Sequence, residues 1–236
     1  MAEGGFDLQK FIDDSKSVLT NPKEYFSSMP KEGGLVEPLI KAIIYGTVAG
    51  IFMLIWSLLH LSGAGAMFGG SVGIMALVWS IIGAIIGLFI GGVIMLVISA
   101  ICGGDTSFEA NVRVVASIMV LSPINALLAF TGSISLFLSG LISILISLYG
   151  IWMMYNALVS ALSAKEGTAK VLSLILAVIP VLMIISTLMC AKVATHTSDT
   201  ILKQTEQYQK EMEKQSLESM KKLDEFRKKM EEAQKQ

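Results

Sequence analysis

No charged residue occurs in AIIYGTVAGIFMLIWSLLHLSGAGAMFGGSVGIMALVWSIIGAIIGLFIGGVIMLVISAICGG, residues 42–104. An uncharged apolar run of about 18 or more residues is long enough to cross a bilayer, and this stretch has room for more than one crossing. In lipid each backbone amide needs a partner within the protein, which favours helices. The stretch therefore predicts a helical membrane protein with several spans.

The rest of the chain continues this pattern. Of its 236 residues, 53% are hydrophobic and 16% are charged, and about half of the charged ones lie in the last forty or so positions. We predict an all-α, polytopic five-helix bundle, with cytoplasmic or interfacial amphipathic helices before it (1–38) and a charged helical tail after it (192–236). Breaks of small or charged residues separate the five predicted spans, at about 39–61, 72–101, 114–131, 134–162 and 171–191.

Basic residues are unevenly distributed among the predicted loops. The N-terminal segment and the loops on its side of the membrane carry lysine and arginine, whereas both loops on the other side have neither. The positive-inside rule then predicts a cytoplasmic N-terminus. No removable signal peptide is evident, so we expect the first span to direct insertion. A fifth segment that turns back near Pro180 is the alternative to five full spans.

The tail at 192–236 contains no Gly or Pro and is rich in helix-forming residues. Its apolar residues fit a heptad repeat only in part. Two interpretations stay open, a solvated helix that continues the last span and an oligomeric coiled coil.

The sequence offers no catalytic, cofactor or metal site. Cys102 and Cys190 are predicted at opposite faces of the membrane, and His60 and His196 have no neighbours at metal-ligand spacing. No acidic pair lies inside a predicted span, where an intramembrane enzyme would need ionisable groups. The net charge of −1 gives no indication of nucleic-acid binding. We therefore expect a protein that is not an enzyme.

Small residues recur every four positions in three of the predicted spans. Such a smooth helix face lets two backbones approach closely in lipid. We expect these faces to pack within the bundle or between protomers of a homo-oligomer. The candidates are Gly46 and Gly50, then Gly83, Gly87 and Gly91, then Ser135, Ser139, Ser143 and Ser147.

Two asparagines, Asn125 and Asn156, fall within predicted spans. One interpretation is a polar path or binding site along the bundle. The other is hydrogen bonding between helices, worth about 1 kcal/mol or less per contact.

Charged residues at the ends of the spans are spaced for local contacts. Thr106 to Glu109 has the spacing of a capping box. Glu109 with Arg113, and Glu37 with Lys41, are each one helical turn apart and are expected to pair.

The segment before the first span, residues 18–39, has the signals of a short helix and a turn. Asn21 is a candidate N-cap and Pro22 fits the first helical position, where no amide donor is needed. Tyr25 and Phe26 give this helix an aromatic side suited to the bilayer interface. Pro38 is expected to lie in the turn that leads into the first span.

Several motifs in this order resemble the Yip-type membrane domain, named for Ypt/Rab-interacting proteins. They are VLTNPKEYF (18–26) with MPKEGGLVEPL (29–39), GGDTSFEANVRVVASIMVLSPINAL (103–127), and LYGIWMMYNALVSALSAKEGTAKVLSLILAVIP (148–180). The resemblance implies a non-enzymatic five-helix domain with a cytoplasmic N-terminus. Eukaryotic members act in vesicle traffic and associate with Rab-type GTPases and with each other. This sequence lacks their Asp-Leu-Tyr-Gly-Pro region and looks more like prokaryotic relatives.

Two functional hypotheses follow. The first is a membrane scaffold, an organising or trafficking-like factor that contacts the lipid bilayer, copies of itself, and membrane or cytoplasmic proteins. The second is a channel or transporter for a small solute or ion, with its path near Asn125 and Asn156.

Overall fold

The structure is a computed structural model that describes residues 7–61, 71–183 and 186, without the side chains at 71–74, 76 and 136. Within the described residues all regular structure is helical, so the predicted fold class is confirmed. The chain divides into two compact units, Met1–Ile184 and Ile185–Gln236, and every helix reported below belongs to the first. The predicted tail and Cys190 lie outside the described residues.

Nine α-helices follow one another in the described part of the chain, and one of them ends in a π-helical turn. They are α1 (Leu8–Thr20), α2 (Pro22–Ser28), α3 (Val36–Leu58), α4 (Ser71–Ile101), α5 (Phe108–Ile118), α6 (Leu121–Leu128), α7 (Thr131–Ile134), α8 (Leu136–Asn156) with the π-helical turn Ala157–Ala161, and α9 (Glu166–Met183).

Five stretches of these helices are long and apolar enough to cross a membrane. They are Val36–Leu58, Leu77–Ile101, Phe108–Ile134, Phe137–Ala161 and Glu166–Met183. Since α9 passes through Pro180 and continues to Met183, the described residues contain no reversal at this proline.

The third span begins at Phe108, ahead of the predicted start at 114. Ser107 caps it, because its side-chain oxygen accepts a hydrogen bond from the Ala110 amide at 3.2 Å. The predicted capping box at Thr106 is therefore wrong by one residue. Glu109 does not close a box, because its carboxylate contacts other parts of the chain.

The same span is divided into α5, α6 and α7. Pro123 has no N–H and its ring crowds the carbonyl of Met119, so the helix is interrupted one turn earlier, at Met119 and Val120. Ser122 N–H donates to Met119 O at 2.9 Å instead. Near the next break, Trp56 Nε1 of α3 donates to Ala126 O at 3.0 Å.

The buried core is concentrated at the end of the bundle where α1 and α2 lie. Here α2 packs against the π-helical turn, whose Ala157, Leu158 and Ala161 are fully buried. Elsewhere α3 packs along α4, and α4 packs against α5. The outer surfaces of the spans carry exposed apolar side chains, as expected where lipid is the solvent.

Candidate functional site at the N-terminal end of the bundle

Residues 7–30, which we call the N-terminal arm, form α1, α2 and the start of the following turn. The arm packs onto the bundle: Val18 and Phe26 are each only 1% exposed, and the rings of Phe11 and Tyr45 lie 5.1 Å apart. The two predicted N-terminal helices are thus present, with part of their apolar surface against protein. Leu8 and Ile12 remain exposed, and contact between the arm and the bilayer interface stays a prediction.

The predicted residues of the arm are placed as follows. Asn21 precedes α2 and Pro22 is its first residue, but the Asn21 side chain makes no capping bond and its amide donates to Glu24. Pro38 lies inside the first turn of α3 rather than in a turn before it, and it is buried.

A turn from Met29 to Leu35 connects the arm to α3. Gly33 and Gly34 have φ of +128° and +86°, which side-chain-bearing residues rarely adopt. The Gly34 amide donates to Glu109 Oε1 at 2.6 Å, and Arg113 Nη2 donates to Gly34 O at 2.9 Å. A Cβ on Gly33 would lie 2.8 Å from Arg113 Nη2, so a side chain there would displace the guanidinium as well as strain the backbone.

Five ionised side chains meet beside this turn, and we call them the charge network: Asp14, Glu37, Lys41, Glu109 and Arg113. Lys41 Nζ lies 3.0 Å from Asp14 Oδ2 and 3.0 Å from Glu37 Oε1. Arg113 Nη1 lies 3.0 Å from Glu37 Oε2, and its Nε lies 3.2 Å from Glu109 Oε1. Lys41 is 7% exposed and Arg113 is 5% exposed, and charges this buried require partners.

Both ion pairs predicted from helical spacing, Glu37 with Lys41 and Glu109 with Arg113, are confirmed. The sequence did not predict that Glu37 would also bind Arg113, or that Asp14 would bind Lys41. These contacts join different helices, and helical spacing carries no signal for them.

Hydroxyl groups add further contacts between the arm and the spans. The Tyr25 hydroxyl lies 3.0 Å from Ser117 Oγ and accepts a hydrogen bond from Lys41 Nζ at 3.4 Å. Ser15 Oγ lies 2.7 Å from the Tyr45 hydroxyl. The predicted interfacial Tyr25 therefore serves as a polar contact within the protein.

A cavity of about 180 Å³ lies between the arm, α3 and α5. Ionisable and hydroxyl side chains form a large part of its wall, among them Lys10, Asp14, Tyr25, Glu37, Lys41 and Arg113.

The predicted small-residue face of α3 packs within the bundle. A Cβ on Gly46 would lie 2.7 Å from Ala84 Cβ, and one on Gly50 would lie 3.0 Å from Leu77 Cα. Ser80 Oγ also donates to Gly46 O at 2.8 Å. These two glycines let α3 and α4 approach at backbone distance.

The glycines of α4 divide into two groups. A Cβ on Gly91 would lie 2.9 Å from Val115, and one on Gly92, which lies outside the four-residue pattern, would lie 2.5 Å from Val112. Among the described residues, nothing would lie within 4 Å of a Cβ on Gly83 or on Gly87. We call Gly83 and Gly87 the open glycine face.

The predicted serines of the fourth span have different surroundings. Ser135 caps α8, with its oxygen accepting from Leu138 N at 3.4 Å, and Ser139 faces Gly132. Ser143 is half-buried, and Ser147 lines an apolar cavity of about 310 Å³ between α4, α5 and α8.

The two asparagines predicted to be functional lie in different surroundings. Asn125 is exposed on α6, whereas Asn156 is buried and donates to Trp152 O of its own helix at 2.8 Å. In the described part of the chain no hydrogen bond links them. A polar path, or a bond between helices at these positions, stays a prediction.

Comparison with known proteins gives one match. The family model for the Yip1 domain matches residues 16–188, a range that contains the connecting turn and every member of the charge network except Asp14. No curated protein and no solved structure matches the chain.

Proposed function

The chain belongs to the Yip1 domain family, because the family model matches most of its length. We propose that this multi-pass membrane protein is a non-enzymatic scaffold. It would organise the membrane, or act in a trafficking-like role, by associating with copies of itself and with other membrane or cytoplasmic proteins. The predicted tail at 192–236 is a further candidate for partner binding.

The observation that carries this proposal is the open glycine face. Gly83 and Gly87 lie one turn apart on α4, beside the exposed Ile82 and Ile86. In lipid, where apolar burial does not drive association, helices associate through small residues that allow close backbone contact. The other glycines of this pattern are covered by the protein's own helices, whereas the described residues leave this face uncovered, which supports a second copy as its partner.

The test is cross-linking of the full chain in lipid nanodiscs or native membranes. Ile86→Cys in a background of Cys102→Ser and Cys190→Ser should form dimers on mild oxidation. Adding Gly83→Leu and Gly87→Leu should reduce this cross-linking severalfold, whereas Ala100→Leu, at another exposed small residue of α4, should not. A strictly monomeric protein, or equal cross-linking in all variants, would contradict self-association through this face.

The orientation is also part of the proposal. The turn and loops at the end with the arm carry Lys31 and Lys165, which supports a cytoplasmic N-terminus. The resemblance to prokaryotic relatives supports a prokaryotic cytoplasmic membrane as its location. In intact cells, Thr106→Cys should resist an impermeant maleimide and react only after permeabilisation. Labelling of this residue without permeabilisation would reverse the topology.

Solute flux distinguishes the scaffold from the channel hypothesis. Liposomes containing the purified protein should pass small ions no faster than empty liposomes. Conductance that Asn156→Leu abolishes would overturn the scaffold proposal in favour of a channel.

A further inference from the structure

We propose that the cavity under the N-terminal arm binds a phosphate group, either from a lipid headgroup or from a soluble phosphate. The cavity is bounded by α1 and α2 on one side and by α3 and α5 on the other. Two of the side chains that line it, Lys41 and Arg113, are buried cations held in fixed positions by their ion pairs. They form a preorganised wall, and the exposed Lys10 lies on the α1 side of the cavity.

The charge of the lining favours an anion. Its three cations, Lys10, Lys41 and Arg113, face two carboxylates, Asp14 and Glu37. Each of these carboxylates is already paired with Lys41 or Arg113. Lys10 has no carboxylate within ion-pair distance in the part of the chain that the structure describes.

Glu109 is the remaining carboxylate near the cavity, and it does not line it. Its Oε1 accepts from Arg113 Nε and from the Gly34 amide. Glu109 is absent from the cavity lining, so this carboxylate offsets the charge of Arg113 from outside the cavity.

The lining also has unused hydrogen-bond donors on its cations. Arg113 has five N–H groups, of which three are used by Glu109, Glu37 and Gly34. The Lys10 ammonium group has three N–H donors, and none has a partner among the described residues. A compact group with several acceptor oxygens and negative charge fits these donors, and phosphate has both properties.

The volume of the cavity and its position along the first span restrict the choice of ligand further. The cavity of about 180 Å³ is below the range of about 300–1,000 Å³ typical of small-molecule sites, so it admits a headgroup phosphate but not a whole lipid. It lies beside the beginning of the first span, at the level where lipid headgroups would lie. Basic side chains at this level attract anionic lipid.

The test uses two variants of the same helix in the full-length protein. Lys10→Gln removes the unpaired cation of the cavity, and Lys16→Gln removes an exposed cation of α1 that does not line it. Binding of phosphatidylglycerol and of diacylglycerol, which lacks phosphate, is measured by native mass spectrometry. Stabilisation by inorganic phosphate is measured in parallel by thermal unfolding in detergent.

The proposal requires that phosphatidylglycerol or inorganic phosphate bind the unsubstituted protein in preference to diacylglycerol. Lys10→Gln should then weaken binding about fivefold, the effect of one basic residue near anionic lipid, and Lys16→Gln should leave it unchanged. A response in the lipid experiment alone identifies a headgroup, and a response to inorganic phosphate identifies a soluble ligand. Equal affinities for the two variants, or equal retention of diacylglycerol, would overturn the proposal.

Discussion

At the scale of single residues, the buried Arg113 depends on the glycine-containing turn between the arm and α3. Arg113 donates to a backbone carbonyl in the connecting turn, and the chain passes so close to it that Gly33 has no room for a side chain. The sequence predicted a turn from its Gly-Gly pair. It did not predict what the turn contacts, because the arginine is about eighty positions away along the chain.

Replacing Gly33 with alanine should therefore destabilise the protein by about 1–3 kcal/mol, the cost of a side-chain-bearing residue in a backbone region that glycine occupies freely. The free energy of unfolding in mixed detergent micelles measures this. Gly167→Ala is the matched control, because its Cβ would meet nothing within 4 Å. Equal stability of the two variants would contradict this account of the turn.

Cys102 offers a second residue-level prediction. The side chain is 1% exposed, and burial raises the pKa of its thiol. Since only the thiolate reacts, a raised pKa leaves less reactive thiolate at neutral pH.

In a Cys190→Ser background, maleimide should modify Cys102 at least tenfold more slowly in the native protein than after denaturation in SDS, at pH 7.5. A cysteine at the exposed Thr106, with Cys102→Ser, is the control and should react rapidly. Comparable rates at the two positions would rule out a buried thiol.

At the scale of helices, glycines that share the same four-residue spacing have different surroundings. Gly46 and Gly50 are covered by α4, whereas nothing in the described part of the chain would lie within 4 Å of a Cβ on Gly83 or Gly87. The four-residue period identifies a smooth face in both cases. It cannot tell what covers that face, because partner choice depends on how the helices are arranged in three dimensions.

Gly46→Ala and Gly83→Ala should consequently differ in their effect. The first places a Cβ 2.7 Å from Ala84 Cβ and 3.0 Å from Ser80 O, so α3 and α4 must separate. Such overpacking typically costs about 1–3 kcal/mol.

The second substitution meets nothing within 4 Å and should leave the monomer as stable as before or slightly more so, since alanine favours helix. Both effects are measured as free energies of unfolding under monomeric conditions. Equal destabilisation by the two substitutions would contradict the assigned α3–α4 contact.

For the whole molecule, the sequence predicted what is local in the chain. Five apolar helical spans follow from composition and length, and Glu37 with Lys41 from helical spacing. The way in which the N-terminal arm closes over α3 and α5, and the cavity beneath it, did not follow. These features depend on contacts such as Asp14 with Lys41, which no periodic pattern predicts.

Asp14→Asn tests whether this contact holds the arm in place. Losing a charged partner of the buried Lys41 should weaken arm docking by about 1.5–3 kcal/mol, the usual value for a hydrogen bond to a charged group. Trypsin should then cleave the arm at Lys16 or Lys23 about tenfold faster or more.

Asp13→Asn is the matched control, because Asp13 is exposed and its side chain hydrogen-bonds, among the described residues, only to Gln9 of the same helix. If both variants are cleaved at the rate of the unsubstituted protein, docking does not depend on the pair.

The charge network also has a consequence for how the protein is made. Its members lie at positions 14, 37, 41, 109 and 113. During translation the first three are therefore synthesised well before the last two. Asp14, Glu37 and Lys41 can pair as soon as the first span is inserted. Arg113 reaches Glu37 only after the second span and the beginning of the third have been synthesised. We therefore expect the nascent chain to pair Lys41 with Asp14 and Glu37 at the membrane entrance first, and the later binding of Arg113 to Glu37 to join the third span to the first.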